Sequence, residues 1–251
     1  MLNVLGPRFQ QKKRTIAFPK TEPVMPDRFS GRPEIERSLC APDCRLCAEA
    51  CPTDAIRPGG NGPVLDLGRC LFCAECAAAC PREAIRHTAD YRMAVRGRKD
   101  LLLEGNELAL AAALGEESLR LFGHSLRLRE VSAGGCNACE ADVNVLGTVV
   151  FDLGRFGIQF VASPRHADGI LITGPVSRNM MLALTKTYEA VPAPKIVIAV
   201  GACAISGGPF IDNPEIHNGA ESVLPIDLYI PGCPPHPMTI LDGLLRLIRA
   251  R

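Results

Sequence analysis

The sequence predicts two unlike modules in one chain: a small α+β unit built on a duplicated cysteine motif, then an α/β domain with a mostly parallel sheet. Three observations carry this. Cys44, Cys47 and Cys51 recur as Cys73, Cys76 and Cys80 at a constant offset of 29 residues, and Cys51-Pro-Thr-Asp-Ala-Ile56 is matched by Cys80-Pro-Arg-Glu-Ala-Ile85. Beyond residue 122, short apolar runs alternate with helical patterns, as in strand–helix–strand units. Cys40 and Cys70 precede the two copies of the repeat, and the last four of the twelve cysteines, Cys136, Cys139, Cys203 and Cys233, fall in that second part.

Taken in order, residues 1–35 are rich in proline and basic residues and show no periodicity. Pro19, Pro23, Pro26 and Pro33 oppose a helix, so an extended arm is expected, either a free tail or a strap on a partner. Residues 36–95 hold the repeat. The alanine-rich stretches Cys47–Cys51 and Cys76–Cys80 each suit one helical turn, and Val64-Leu-Asp-Leu67 suits a strand. Residues 96–122 read as a linker with a helix over Glu107–Leu121 that packs the modules together. Residues 123–251 give strands at Leu126–Val131, Ile158–Val161, Gly169–Thr173, Lys195–Val200 and Asp227–Ile230. Helices are expected at Asp142–Leu153 and Asn179–Ala190, with an amphipathic one at Met238–Arg249.

Composition excludes several functions. The 251 residues carry a formal net charge of +1, no Trp and few aromatics, which argues against nucleic-acid binding. No apolar stretch reaches membrane-spanning length. The opening residues show neither an apolar signal core nor a twin-arginine signal, so a reducing cytoplasmic setting is expected and disulfides are a poor use for twelve cysteines.

Three sets of four cysteines suit iron–sulfur ligation, because each iron of a cubane takes one thiolate. Cys70-x2-Cys73-x2-Cys76-x3-Cys80-Pro81 has the bacterial ferredoxin spacing, in which the fourth cysteine ligates the other cluster. The first motif, Cys40-x3-Cys44-x2-Cys47-x3-Cys51-Pro52, is one residue longer in its first gap, with Pro42 and Asp43 in the enlarged loop. Crossed ligation then assigns Cys40, Cys44, Cys47 and Cys80 to one cluster and Cys70, Cys73, Cys76 and Cys51 to a second. Four-cysteine zinc sites are the competing use, but they have no role for a third cysteine followed by x3-Cys-Pro.

The last set is scattered. Cys136 and Cys139 lie in Gly-Gly-Cys-Asn-Ala-Cys-Glu140, Cys203 in Gly-Ala-Cys-Ala-Ile-Ser-Gly-Gly208, and Cys233 in Pro-Gly-Cys-Pro-Pro-His-Pro237. Each follows a predicted strand, and the strand C-termini of a parallel sheet share one edge. A third [4Fe–4S] cluster there is the expectation. Nearby glycines allow close backbone approach, and no dinucleotide or P-loop motif competes for them.

These three segments, with Ser163-Pro-Arg-His-Ala-Asp168 and Thr173-Gly-Pro-Val176, resemble the small subunit of energy-converting (group 4) [NiFe] hydrogenases. That family includes formate hydrogenlyase and is homologous to the component of complex I that carries the terminal cluster. Phe18-Pro, Arg32-Pro-Glu and both ferredoxin motifs resemble the separate two-cluster subunit of the same complexes, so the chain looks like a fusion of the two. The resemblance implies a two-cluster ferredoxin-like domain before a flavodoxin-like domain. It also implies three [4Fe–4S] clusters, and electron transfer to a nickel–iron site on a partner large subunit. Membrane subunits and an upstream donor (formate dehydrogenase, carbon monoxide dehydrogenase or ferredoxin) are implied too, with the chain held peripherally on the inner membrane face. Complex I components of this type carry adjacent cysteines at the first site, whereas Cys136 and Cys139 are separated by two residues, as in the hydrogenases. Glu140 is expected on a proton path, at a partner contact or simply as an acid at a helix start. His166 is expected to be structural or interfacial, and His236 to tune the neighbouring site.

Overall fold

The computed structural model describes residues 2–41, 43–60, 62–122 and 125–248. Pro42 of the enlarged loop and Arg249 of the closing helix pattern lie outside the described residues. The arm departs from the extended form expected of it. Helix α1 (Leu2–Gln11) forms ahead of the four prolines that oppose one further on, and it contains Pro7. From Thr15 the chain lies along its own α/β domain. Thr15 Oγ1 donates to Val149 O (2.8 Å), Ile16 N–H donates to Val150 O (3.0 Å), and the Arg155 guanidinium donates to Ile16 O and Phe18 O. Phe18 is buried in the core.

The repeat module follows as β1 (Pro33–Ile35), α2 (Leu46–Glu49), β2 (Ile56–Arg57), β3 (Val64–Asp66), α3 (Glu75–Ala78), β4 (Ile85–His87) and β5 (Leu102–Leu103). Strand β1 pairs antiparallel with β4, while β2, β3 and β5 form a second antiparallel sheet. The duplication is visible in the backbone. Helices α2 and α3 stand 29 residues apart, and so do two left-handed pairs, Asp43 with Phe72 and Asp54 with Glu83. The longer first gap therefore adds its residue before Asp43, and the backbone from Asp43 onward keeps the register of the second motif.

The expected helix over Glu107–Leu121 shrinks to α4 (Glu116–Phe122). Residues before it spend their backbone groups elsewhere. Ala111 N–H donates to Ala94 O (2.8 Å) and Leu114 N–H to Leu247 O (3.0 Å), with both side chains buried. The alanine- and leucine-rich pattern there reflects burial rather than helical period.

The second domain runs β6 (Leu126–Ser132), α5 (Ala138–Val145), β7 (Ile158–Phe160), β8 (Gly169–Thr173), α6 (Arg178–Ala190), β9 (Ile196–Val200), α7 (Ala202–Ser206), β10 (Leu228–Ile230) and α8 (Pro237–Leu247). Its five strands are all parallel, in the order β10-β9-β8-β6-β7. Counted within the domain this is 2-1-3-4-5, a doubly wound order whose direction reverses between β6 and β8. Every residue of β8 and β9 is buried, as expected of central parallel strands covered on both faces. Helix α5 starts four residues earlier than the sequence suggested and stops at Val145, ahead of a turn through Gly147.

The closing helix forms where the pattern placed it, but its polar side is covered too. All of α8 except Arg246 is buried, down to Asp242, whose carboxylate accepts from Arg246 Nε at 2.6 Å. A helix buried nearly all round is covered on both sides. The sheet covers one side, and the segment before α4 covers the other, with Ala94 against Gly243. The modules are thus welded together. Leu65, Leu67 and Leu101 share a core with Ala199, Ile205 and Tyr229, and Val95 bridges Tyr229. The Asp66 carboxylate takes a two-pronged pair from Arg98 (2.9 and 2.6 Å) at the same junction.

Candidate metal centres

In the repeat module the eight cysteines divide between two cavities. Cys40, Cys44, Cys47 and Cys80 line one of about 490 Å³, and Cys51, Cys70, Cys73 and Cys76 line a tight one of about 20 Å³. Each therefore gathers three cysteines of one motif and the fourth of the other. The physical cause is local. Helices α2 and α3 turn the chain between the third and fourth cysteines of each motif, and Pro52 and Pro81 follow the turn. Backbone amides already point at sulfur in equivalent places. Ala55 N–H donates to Cys51 Sγ (3.2 Å), Ala84 N–H to Cys80 Sγ (3.4 Å), and Phe72 N–H to Cys70 Sγ (3.3 Å).

The donor sets fit a cluster better than a single ion. Among the described residues no three His, Cys, Asp or Glu side chains converge tightly enough to hold one metal ion, whereas a zinc site brings four sulfurs to about 2.3 Å from one point. All twelve cysteines are free thiols. Burial pushes Cys70 up to about 12 and Cys76 up to about 11, with neighbouring cysteines adding to the rise. Burial raises Cys40 and Cys47 too, and Cys80 and Cys44 contribute at Cys40. Crowded buried thiols resist ionisation by themselves, and bound cationic iron would supply the charge that holds them as thiolates.

The scattered set also comes together. Cys136 and Cys139 sit on the turn from β6 into α5, Cys203 in the first turn of α7 after β9, and Cys233 just past β10. All four lie at the C-terminal edge of the sheet. Burial raises Cys139, then the nearness of Cys203, Glu140, Cys233 and Cys136 does so; burial pushes Cys203 up to about 12, with Cys233 and Cys136 adding to it. Gly201, at φ +90°, leaves room for the Cys139 thiol: a Cβ there would stand 2.5 Å from its Sγ. Cys136 and Cys233 are exposed, while Cys139 and Cys203 are partly covered, so this set opens to solvent on one side.

Neighbouring sets stand close enough to feel one another electrostatically. Cys47 is close enough to Cys76 to oppose its ionisation, and Cys73 does the same to Cys233. The second set thus lies between the other two. Around the first set, Cys44, Leu39 and Leu46 are exposed. Four arginines, Arg37, Arg45, Arg57 and Arg82, line its cavity with one acid, Asp43.

Glu140 is buried, and Oε1 accepts from Ser132 Oγ (2.5 Å) and Thr173 Oγ1 (2.6 Å). Burial works against its ionisation, but the two hydroxyls outweigh that and hold its carboxyl below the ordinary value. It ties the cysteine-bearing helix α5 to β6 and β8. His166 is exposed at the end of a 3-10 turn. His236 caps α8: its Nδ1 accepts from Met238 N–H (3.1 Å), and its ring meets Phe29 of the arm edge-on at 5.2 Å. Two polar groups were not singled out from sequence. Glu130 on β6 has a buried carboxylate oxygen without a partner among the described residues, and so does His87 Nε2 on β4. The repeat offered a signal for the second, since His87 replaces the Pro58 expected from the offset.

Comparison with known proteins supplies the family of each half. Residues 25–84 match the 4Fe-4S dicluster domain family, and residues 136–247 match the family described as NADH ubiquinone oxidoreductase, 20 Kd subunit. A probable membrane-bound hydrogenase subunit of Pyrococcus furiosus is 40% identical over 126 residues, half of this chain and 75% of that protein. The chain belongs to the group 4 hydrogenase and complex I superfamily. Within the superfamily, formate hydrogenlyase subunit 7 of Escherichia coli is 42% identical over 53% of this chain and 52% of its own length. A subunit of the NADH-quinone oxidoreductase of Heliobacterium modesticaldum is 43% identical over 46% of this chain and 66% of its own. The chain thus spans from about half to three-quarters of these relatives. As a superfamily member it is an iron–sulfur electron-transfer subunit of an oxidoreductase, in a complex of either the hydrogenase or the complex I type. Among the described residues no helix is long and apolar enough to cross a membrane.

Proposed function

We propose that this chain conducts electrons through three [4Fe–4S] clusters in a membrane-associated group 4 [NiFe] hydrogenase complex, delivering them to the nickel–iron site of a partner large subunit. Cys40, Cys44, Cys47 and Cys80 hold the entry cluster, Cys51, Cys70, Cys73 and Cys76 the middle one, and Cys136, Cys139, Cys203 and Cys233 the exit cluster. The observation that carries the reading is the gathering of the twelve cysteines into three sets of four, at two cavities of the repeat module and at the C-terminal edge of the sheet. The shared core of the two modules keeps the three sites at fixed separation, and the 2-1-3-4-5 order, which is flavodoxin-like, presents the exit cysteines at the open sheet edge. Bound clusters supply one-electron chemistry over potentials of about −700 to +450 mV. The chain's own part is to hold thiolates and donate amides to sulfur.

The Cys136-x2-Cys139 spacing and the hydrogenase relatives favour a nickel–iron partner. The NADH-quinone oxidoreductase relatives support a second reading, the equivalent component of a quinone-reducing complex without hydrogenase activity. On the first reading the donor upstream is formate dehydrogenase, carbon monoxide dehydrogenase or ferredoxin, and membrane subunits anchor the complex to the inner face of the cell membrane.

Anaerobic reconstitution tests the wire. Three cubanes require about twelve irons per chain and reducible brown protein; stoichiometric zinc without iron would end the redox reading. Co-purification with the large subunit then decides the acceptor. Hydrogen evolution from a low-potential donor supports the hydrogenase, and quinone reduction without it supports the alternative.

A further inference from the structure

The repeat supplies its own control, because residues of one half have counterparts 29 positions away in the other. Arg45 and Arg82 line the first cysteine cavity, and their counterparts Ala74 and Thr53 line the second. Arg57 also lines the first; its counterpart Arg86 is on no wall of the second and pairs instead with Glu34 at 3.0 Å. With Arg37, four guanidiniums stand against one carboxylate, Asp43, on the first wall. The second wall carries no Arg, Lys, Asp or Glu among the described residues. Its imidazole, His87, is held below the ordinary histidine value by burial and is neutral near pH 7.

The asymmetry reaches the sulfur ligands. Arg82 Nη1 donates to Leu39 O at 3.4 Å, next to Cys40 in the chain. The acceptor is a carbonyl, so that bond positions the guanidinium without cancelling its charge. Burial, then Cys80 and Cys44, push the Cys40 thiol up, and Arg37 and Arg82 pull against them. At Cys70 and Cys76 burial leads, and the contacts that pull against it are the neutral amides of Phe72 and Ala77.

Reducing a cluster adds a negative charge, which nearby cations stabilise. We infer that Arg45 and Arg82 raise the reduction potential of the cluster held by Cys40, Cys44, Cys47 and Cys80 above that of the repeat's other cluster. An electron entering the chain then settles on the first cluster. Its onward step, which oxidises the first cluster and reduces the second by one electron, runs uphill and proceeds while the exit cluster drains the second. This rests on the ligand assignment proposed above.

The test is a redox titration of the full chain, reconstituted anaerobically and followed by electron paramagnetic resonance. A Cys136→Ala background removes the exit cluster, so two midpoints remain at about eight irons per chain. Giving the first wall the residues of the second, Arg45→Ala with Arg82→Thr, is expected to move the higher midpoint negative, toward the lower, which stays. Arg45→Lys with Arg82→Lys keeps the charge and most of the gap. Both arginines are exposed, so high salt screens them and narrows the gap in the parent but little in the neutral variant. Midpoints unmoved by the neutral substitutions, displacement of the lower one, loss of the gap in the lysine variant as well, or a parent gap indifferent to salt each overturn the inference. Iron far from eight in the Cys136→Ala parent overturns the ligand assignment instead.

Discussion

The repeat module and the sheet edge solve the same problem in opposite ways. In the module, the cysteines are close in sequence and the secondary structure between them is minimal: two helices of four residues and strands of two or three. At the sheet edge, four cysteines spread over nearly a hundred residues are placed by a core that exists for other reasons, with β8, β9 and α8 almost wholly buried. A unit that buries so little apolar surface relies on its metal for cohesion, whereas a buried parallel sheet does not. With the proposed ligand sets, the difference teaches that clusters would be structural glue in one half and passengers in the other.

Removing iron puts the most strain on that comparison. In hydrogen-exchange mass spectrometry of chelated protein, amides of β1 to β5 are expected to lose protection by roughly a hundredfold or more (about 2.8 kcal/mol). Those of β8 and β9 are expected to keep most of theirs. Equal loss in both halves would show that the shared core couples them into one unit. A narrower probe is Gly201→Ala. The residue sits at φ +90° and ψ 156°, a region open essentially to glycine alone, and strain there costs about 1–3 kcal/mol before any contact with Cys139. Iron should fall from about twelve to about eight per chain, with ferredoxin-type signals unchanged. Full iron content would mean that the loops at the sheet edge are more yielding than the buried strands behind them.

What was legible in the sequence follows the same division. The ferredoxin spacing is a local code, and the grouping it suggests, three cysteines of one motif with the fourth of the other, matches the lining of the two cavities. The parallel strands were legible because Gly169–Thr173 and Lys195–Val200 are apolar runs with nothing else to become. Errors arose where a distant partner decided the outcome. The run before Glu116 looked helical because its alanines and leucines are buried, yet their amides serve Ala94 and Leu247. Helix α8 forms where its pattern placed it, but that same run covers its outer face. The arm could be read as loose because the groups that hold it, Val149, Val150 and Arg155, lie more than a hundred residues away. His87 and Glu130 passed unnoticed because an unpaired buried atom is a property of packing, not of pattern.

Glu130 offers the finest test of how the sheet edge is balanced. Burial, and then the nearby Glu140 carboxylate, pushes its carboxyl up to about 7, with Arg129 opposing. Glu140 has two hydroxyl partners and stays ionised, so the shared site keeps one negative charge easily and resists a second. As pH rises from the ordinary carboxylate range toward 7, the unfolded chain releases this proton first and the folded protein retains it. The folded state then binds more protons, so stability falls across that window, and the loss is complete above it. The carboxyl is only partly buried and water screens it, which leaves about 1 kcal/mol. Glu130→Gln removes the penalty. Urea denaturation of iron-loaded protein should find the variant about as stable as wild type at pH 5 and more stable at pH 8. A variant that is less stable at pH 8 would mean that a partner on a bound cluster or at the sheet edge already satisfies the charge, and that the edge is built around two anions rather than one.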